Sequence, residues 1–256
     1  VRQLQEVRRP GLLEFVRKRL EGMRNGTIKR KGNNYTKETL HTYTGFANIL
    51  ENFVKLHPFE WEDINERLID EFVLYMEEYG YMKKTINKNL AVFSAMLNTA
   101  FKEGYRFKTS VLDHFPKLHV TREDKVVEIY LTEEELQALY EMPLSGKEDK
   151  ARDVFLVGCY TSQRFSDYSH ITERNVSFHD GVGIITLTQQ KTGTEVTIPI
   201  LNDNLIRIFE KYDYNLPYIH NNDLNEIIKI ILEKLSESVP SLRQEMATKI
   251  TLVGQR

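Results

Sequence analysis

Apolar residues recur at helical spacing through the first part of the chain. Each of four segments has one apolar stripe with the period of an α-helix. These segments are residues 11–23, a helix capped by Thr36, a helix after Pro58 that ends at Gly80, and a helix that begins near Thr85 and ends before Gly104. Because the connections are short, the pattern predicts a four-helix bundle over residues 10–105.

The pattern changes in the second half. Residues 106–131 have no clear periodicity and predict a linker with one strand around Val126–Tyr130. Thr132 and Glu135 form a capping box, which predicts a helix to about Met142. A loop is expected at Ser145–Asp149, before a helix at Ala151–Tyr160 that is apolar almost all round and therefore buried.

Two segments rich in β-branched residues follow, at 182–188 and 194–200. They flank Gln189–Gly193 and predict a β-hairpin with Lys191 at its tip. Helices near 203–212, capped by Asp203, and at 222–237 complete the chain. The predicted fold class is mainly α with a small antiparallel β-hairpin or sheet, in two domains at residues 1–115 and 116–256.

Composition narrows the class of protein. The chain has 256 residues, of which 41% are hydrophobic and 28% are charged, which suits a globular core and excludes wholesale disorder. We find no apolar run long enough to span a membrane, and Val1 opens the chain without a leader. The single cysteine, Cys159, excludes an internal disulfide and a Cys-rich zinc site, which indicates a cytoplasmic protein.

Charge is unevenly distributed. The formal net charge is -2, but residues 1–34 alone carry +7 and the remainder carries -9. A basic arm on an acidic body suits a phosphate backbone. A solvated helix face with a loose tail explains the same counts, so charge alone leaves the partner open.

Two side chains are candidates for chemistry. Arg164 follows the predicted buried helix, so we expect it to be buried or to point into a cleft, where Asp167 can orient it toward a phosphate. An intramolecular ion pair between Arg164 and Asp167 is the alternative. Lys191 at the hairpin tip is either merely solvated or able to donate a proton in a neighbouring groove.

Ordered motifs resemble one family. They are Thr36-x-x-Thr39-x-x-x-Tyr43, Thr85-Ile86-Asn87-Lys88, Leu131-Thr132-Glu133-Glu134-Glu135-Leu136, the segment from Cys159 to Asp167, and Gln190-Lys191-Thr192. In this order the chain resembles the tyrosine recombinases, or phage-integrase family, especially integrases of bacterial mobile elements. The resemblance implies a helical core-binding domain followed by part of an α+β catalytic domain.

The resemblance also implies roles. Arg164 would bind the scissile phosphate and Lys191 would protonate the leaving 5′ oxygen, while a tyrosine forms a 3′-phosphotyrosyl bond without metal or ATP. Asp167 would support Arg164. The two domains would clamp double-stranded DNA from opposite faces, in a tetrameric synapse and with no membrane partner. DNA contacts are expected from Arg30, Lys31, Tyr35, Thr36, Lys83, Lys84, Thr85, Asn87 and Lys88.

Four features depart from the family pattern. Ser162 replaces a glycine in the arginine box, and Gln163 stands where an aliphatic residue is common. No His-x-x-Arg follows Lys191, and no tyrosine occupies the nucleophile's place. We therefore expect that the chain stops before the last catalytic boxes and binds DNA without cleaving it. A decayed integrase, a non-catalytic DNA-binding regulator and a helical interaction module remain as alternatives.

Overall fold

A computed structural model describes residues 10–121 and 129–244. The chain divides into two compact units, one within each of these ranges. Most of the described residues are helical, and one three-stranded antiparallel sheet lies in the second unit. The predicted fold class is confirmed.

The first unit contains the four predicted helices, which are α1 (Leu12–Arg24), α2 (Lys37–Leu56), α3 (Glu66–Glu78) and α4 (Lys83–Lys102). Thr36 caps α2, because its hydroxyl accepts a hydrogen bond from the backbone N–H of Thr39. Asn65 caps α3 in the same way. The helix predicted near Thr85 begins two residues earlier, at Lys83. Short 3₁₀ turns lie at Trp61–Asp63 and Thr109–Asp113.

Aromatic rings fill the core of the first unit. Phe72 is fully buried, and its ring centroid lies 5.2 Å from those of Phe53 and Phe93 and 6.3 Å from that of Phe46. These rings stand edge to face, the arrangement that the aromatic quadrupole favours.

Trp61 joins the beginning of the described chain to this core. It is 6% exposed, and its indole N–H donates a 2.8 Å hydrogen bond to the backbone oxygen of Pro10. Its ring also contacts those of Phe15, Tyr105 and Phe107.

The segment after α4 stays with the first unit. Phe115 and Leu118 both pack against its core. The predicted division between residues 115 and 116 stays a prediction. Of the strand predicted at Val126–Tyr130, residues 126–128 lie outside the described chain, and Ile129 and Tyr130 are not in a strand.

The second unit combines helices with a small sheet. Its helices are α5 (Glu133–Glu141), α6 (Gly146–Thr161), α7 (Phe165–Tyr168), α8 (Asp203–Lys211) and α9 (Asn221–Leu235). Its strands are β1 (Val176–His179), β2 (Val182–Thr188) and β3 (Glu195–Pro199), in the order β1-β2-β3. Ile185 pairs with both Val176 and Ile198, and this register turns Ile185 and Leu187 into the core.

The structure confirms two of the sequence predictions for this unit and corrects two others. The capping box of Thr132 and Glu135 is confirmed. The loop predicted at Ser145–Asp149 is wrong, because α6 already begins at Gly146. Asp203 is not the cap of α8; the side chain of Asn202 accepts from the backbone N–H groups of Asn204 and Leu205 instead. The hairpin is confirmed, but β1 was not predicted, since its mostly exposed residues lack the alternation of a half-buried strand.

A buried ionic cluster ties α5, α6 and α8 together. The carboxylate of Asp153, only 1% exposed, accepts hydrogen bonds from Arg152 (2.8 Å), Lys211 (2.6 Å) and the Tyr212 hydroxyl (2.8 Å). Arg152 also donates to the carbonyls of Tyr140 and Met142 at the end of α5. Burial opposes the charge on Lys211, yet hydrogen bonds to Asp149 and Asp153 raise its pKa above the usual value.

Candidate functional site

Arg164 occupies the N-cap position of α7, directly after α6. Its side chain is 47% exposed, so of the two expected arrangements the guanidinium is not the buried one. The carboxylate of Asp167 is the buried partner, with 0% exposure, and its Oδ2 lies 3.7 Å from Nη1 of Arg164. The pair therefore combines an accessible cation with a shielded anion. Such a guanidinium can take an oxyanion on its open side while Asp167 holds the other.

The carboxylate of Asp167 uses its two oxygens differently. Oδ1 accepts a 2.9 Å hydrogen bond from the backbone N–H of Gln190 in the β2–β3 loop. Oδ2 is buried and has no hydrogen-bond partner among the described residues. Because 3.7 Å is too long for a hydrogen bond, a small movement of Arg164 toward Oδ2 would complete the pair.

The hairpin tip lies against the arginine segment. Gln189 and Thr194 close the β2–β3 loop through a 2.8 Å backbone hydrogen bond, and Lys191 stands exposed within it. The Gln190 side chain donates to the backbone oxygen of Ser166 at 2.8 Å. The structure therefore brings the segments that carry Arg164 and Lys191 together, although they are far apart in sequence.

Gly158 and Tyr168 fix the packing of α7 on α6. A Cβ atom on Gly158 would lie 2.7 Å from the ring of Tyr168, so only glycine allows this approach. Burial raises the pKa of Tyr168 to about 12 and that of Cys159 to about 11. Both groups therefore stay protonated at neutral pH, and the thiol of Cys159 is not an activated nucleophile.

Ser162 ends α6 in the left-handed region, with φ 54° and ψ 24°. Its amide donates to the backbone oxygen of Gly158, as expected at a helix C-terminus where glycine is usual. The serine Cβ is unfavourable in this conformation. The substitution of serine for the family's glycine therefore strains the backbone two residues before Arg164.

We expect Ser162→Gly to stabilise the second unit by about 1 kcal/mol, because glycine adopts positive φ without a Cβ penalty. Urea unfolding measures the change, and Ser238→Gly is the matched control, since Ser238 carries no positive φ. If Ser162→Gly lowers the free energy of unfolding, the claim that Ser162 strains the backbone is wrong.

Basic and polar residues line a surface depression in the first unit. Its volume is about 350 Å³, and it is lined by Arg30, Lys31, Asn33, Asn34, Tyr35, Thr36 and Thr39. Lys31 and Gly32 both have positive φ in a two-residue turn, which Arg30 and Asn33 close with two backbone hydrogen bonds. The structure therefore brings together the predicted contacts at residues 30, 31, 35 and 36. Sequence reasoning missed Thr39 and the two asparagines as members of this surface.

The other predicted contacts lie in the first two turns of α4. Lys84 and Lys88 are exposed and share one face of the helix, since they are four residues apart. Lys83 and Thr85 are half-buried. Asn87 attaches the segment after α4 to this helix. Its side-chain amide donates to the backbone oxygen of Leu118 at 2.9 Å and accepts from the Leu118 N–H at 2.8 Å. This geometry assigns Asn87 a structural use that its sequence context did not predict.

Two features are absent from the described chain. Among residues 10–121 and 129–244, no group of three or more His, Cys, Asp or Glu side chains is arranged to hold a metal ion. Within the same ranges, no helix has the length and apolarity needed to cross a membrane.

Comparison with known proteins gave a family match for the first unit. The family model described as the phage integrase SAM-like domain matches residues 12–115. Comparison with curated protein sequences gave no match.

Three solved structures resemble nearly the whole chain. A lambda integrase tetramer bound to a Holliday junction has a TM-score of 0.61 at 16% identity, covering 96% of this chain and 70% of that one. The XerH site-specific recombinase bound to a palindromic difH substrate has a TM-score of 0.64 at 12% identity, covering 94% and 81%. The Tn1549 transposon integrase with a circular intermediate DNA has a TM-score of 0.62 at 17% identity, covering 95% and 83%.

These likenesses confirm the resemblance that the ordered motifs indicated. The three likenesses cover 94–96% of this chain and therefore include residues of both units. Residues 12–115 match the phage integrase SAM-like domain, and the chain as a whole shares the fold of these three recombinases.

Proposed function

We propose that this chain carries the DNA-binding part and part of the catalytic centre of a site-specific recombinase or integrase, acting on DNA in the cytoplasm. Such an enzyme cuts and rejoins DNA through a 3′-phosphotyrosyl intermediate. The observation that carries the proposal is the attachment of the Lys191 hairpin to the Arg164 segment, through the hydrogen bond from Gln190 N–H to Asp167. Two segments that each carry a cation and are hydrogen-bonded to each other suit a single phosphodiester.

Arg164 is proposed to bind the non-bridging oxygens of the scissile phosphate. Its half-exposed guanidinium is accessible to a ligand, and the Asp167 carboxylate beneath it limits its orientations. Lys191 is proposed to protonate the departing 5′ oxygen, because its exposed ammonium stands on a loop fastened to the same segment. Asp167 is proposed to support both groups. Its Oδ2 lies 3.7 Å from Arg164, and its Oδ1 accepts from the backbone N–H of Gln190, the residue before Lys191.

Double-stranded DNA is the proposed partner of the first unit. The depression around Arg30, Lys31, Tyr35 and Thr36 and the exposed pair Lys84 and Lys88 supply cations and hydrogen-bond donors for phosphates. Residues 1–115 would form the core-binding domain, and residues 116–256 would belong to the catalytic domain. The lambda integrase structure is a tetramer on DNA, which supports self-association of this protein on its substrate.

We propose that these 256 residues bind DNA but do not cleave it, since no His-x-x-Arg follows Lys191 in their sequence. A DNA-binding regulator without recombinase chemistry is the alternative.

One DNA-binding experiment tests both parts of this proposal. A native gel should show retardation of a duplex of about 30 base pairs, with affinity that falls steeply as salt rises. The same protein with a nicked duplex, analysed on a denaturing gel, should give no protein–DNA adduct. Absence of retardation would overturn the DNA-binding function, and a covalent adduct would overturn the proposed inactivity.

A further inference from the structure

Three side-chain hydrogen bonds connect the tip of the hairpin to the end of α6. The Thr192 hydroxyl donates to Oε1 of Gln189 at 3.0 Å. Nε2 of Gln189 donates to Oε1 of Gln163 at 2.9 Å. Nε2 of Gln163 donates to the backbone oxygen of Thr161 at 3.3 Å. Each amide therefore donates on one side and accepts on the other.

This hydrogen-bond relay, Thr192–Gln189–Gln163–Thr161, ends at an unpaired helix carbonyl on one side and beside Lys191 on the other. The carbonyl of Thr161 is among the last four of α6, which have no partner within the helix, so Gln163 satisfies it. Thr192 lies directly after Lys191, and Gln189 lies two residues before it. Gln163 and Gln189 are both half-buried, which shields the bond between them from competing water.

The relay fixes positions that the other attachments do not. The bonds to Asp167 and to Ser166 both come from Gln190. The relay instead holds residues 189 and 192. Lys191 itself has no polar partner in the described part of the chain, so its position depends on how its neighbours are held.

We propose that Gln163 is a positioning residue, which acts through Gln189 and Thr192 to hold the ammonium of Lys191 at the phosphate that Arg164 binds. This inference rests on the proposed function. An aliphatic residue at position 163, as is common in the family, can neither accept from Gln189 nor donate to Thr161. The hairpin would then keep the hydrogen bonds that Gln190 donates to Asp167 and Ser166. It would lose the hydrogen bond from Gln189 to residue 163.

A double-mutant cycle tests the inference, with salt-dependent binding to a 30-base-pair duplex as the readout. If Lys191 contacts a phosphate, Lys191→Gln should lower the slope of log affinity against log salt by about 0.9, which is about eightfold weaker binding at 0.1 M salt. In the Gln163→Leu background, we expect Lys191→Gln to change the slope by much less. A merely structural role of Gln163 would leave the effect of Lys191→Gln intact.

Further variants make the result decisive. Gln189→Leu removes the same bond from the other side and should behave as Gln163→Leu does, which also covers the case in which one variant does not fold. Lys229→Gln, an exposed lysine on α9, should leave the slope unchanged in every background.

The outcomes separate the two proposals. An equal effect of Lys191→Gln in the parent and in both leucine backgrounds would overturn the positioning role alone. No effect of Lys191→Gln in the parent chain would overturn the proposed contact of Lys191 with phosphate, and with it the positioning role.

Discussion

Asp153→Ala is expected to destabilise the second unit by about 3–5 kcal/mol, the usual cost of removing one partner from a buried ionic cluster. The substitution leaves the buried guanidinium of Arg152 and the Tyr212 hydroxyl without one of their acceptors, and it removes one of the carboxylates that hold Lys211. Asp153→Asn should also be costly, because an uncharged amide cannot balance the two cations. Equilibrium unfolding in urea gives the free energy.

Hydrogen exchange locates the effect within the chain. Peptides from α6 and α8 should exchange faster in Asp153→Ala, while peptides from α2 and α4 should keep their parent rates. The matched control is Asp223→Ala, which removes the exposed ion pair with Lys147 and should cost far less. If the two variants lose similar amounts of unfolding free energy, burial is not what makes the Asp153 cluster stabilising.

Reversing two charges on α4 is expected to have the largest effect on DNA binding. Lys84→Glu combined with Lys88→Glu should lower the salt slope by about 1.8 and weaken binding roughly 60-fold at 0.1 M salt, because two phosphate contacts are lost. The loss should be similar for unrelated sequences, since phosphate contacts carry no base information. Fluorescence anisotropy of a labelled duplex measures both quantities.

A variant with the same change in net charge provides the control. Lys150→Glu with Lys229→Glu reverses two exposed lysines of the second unit, on α6 and α9. We expect a much smaller change in the slope. Equal losses in the two double variants would mean that overall charge controls affinity, and would contradict a contact at the start of α4.

The bundle was predictable because its signals are local. Periodic apolar stripes identified α1 to α4, and Thr36 marked the start of α2 through a side chain that bonds three residues ahead. The start of α4 was predicted two residues too late, since Met82 caps the helix without a side-chain hydrogen bond that would mark it. The loop expected at Ser145–Asp149 was wrong because it was inferred from composition. Gly, Lys, Glu and Asp suggest a turn, yet here they form the first turn of α6.

The site was only partly predictable, because tertiary contacts decide its electrostatics. Proximity to a buried helix left Arg164 either buried or facing a cleft, and only the structure shows that the arginine is 47% exposed while Asp167 is the buried partner. Gln163 stood out only as a departure from the family pattern, and nothing local indicated that Gln189 would face it. Asn87 similarly needed the position of Leu118, 31 residues away, before its use was apparent.

The anchoring of Trp61 gives the protein an intrinsic optical probe. It is the only tryptophan in the chain, and its indole is bonded to Pro10, the first residue of the described chain. Its emission should be blue-shifted in the folded state because the indole is enclosed. A change in this emission when a duplex is added would therefore signal rearrangement beside Pro10. Unchanged emission would mean that the duplex binds without disturbing the contact between Trp61 and Pro10.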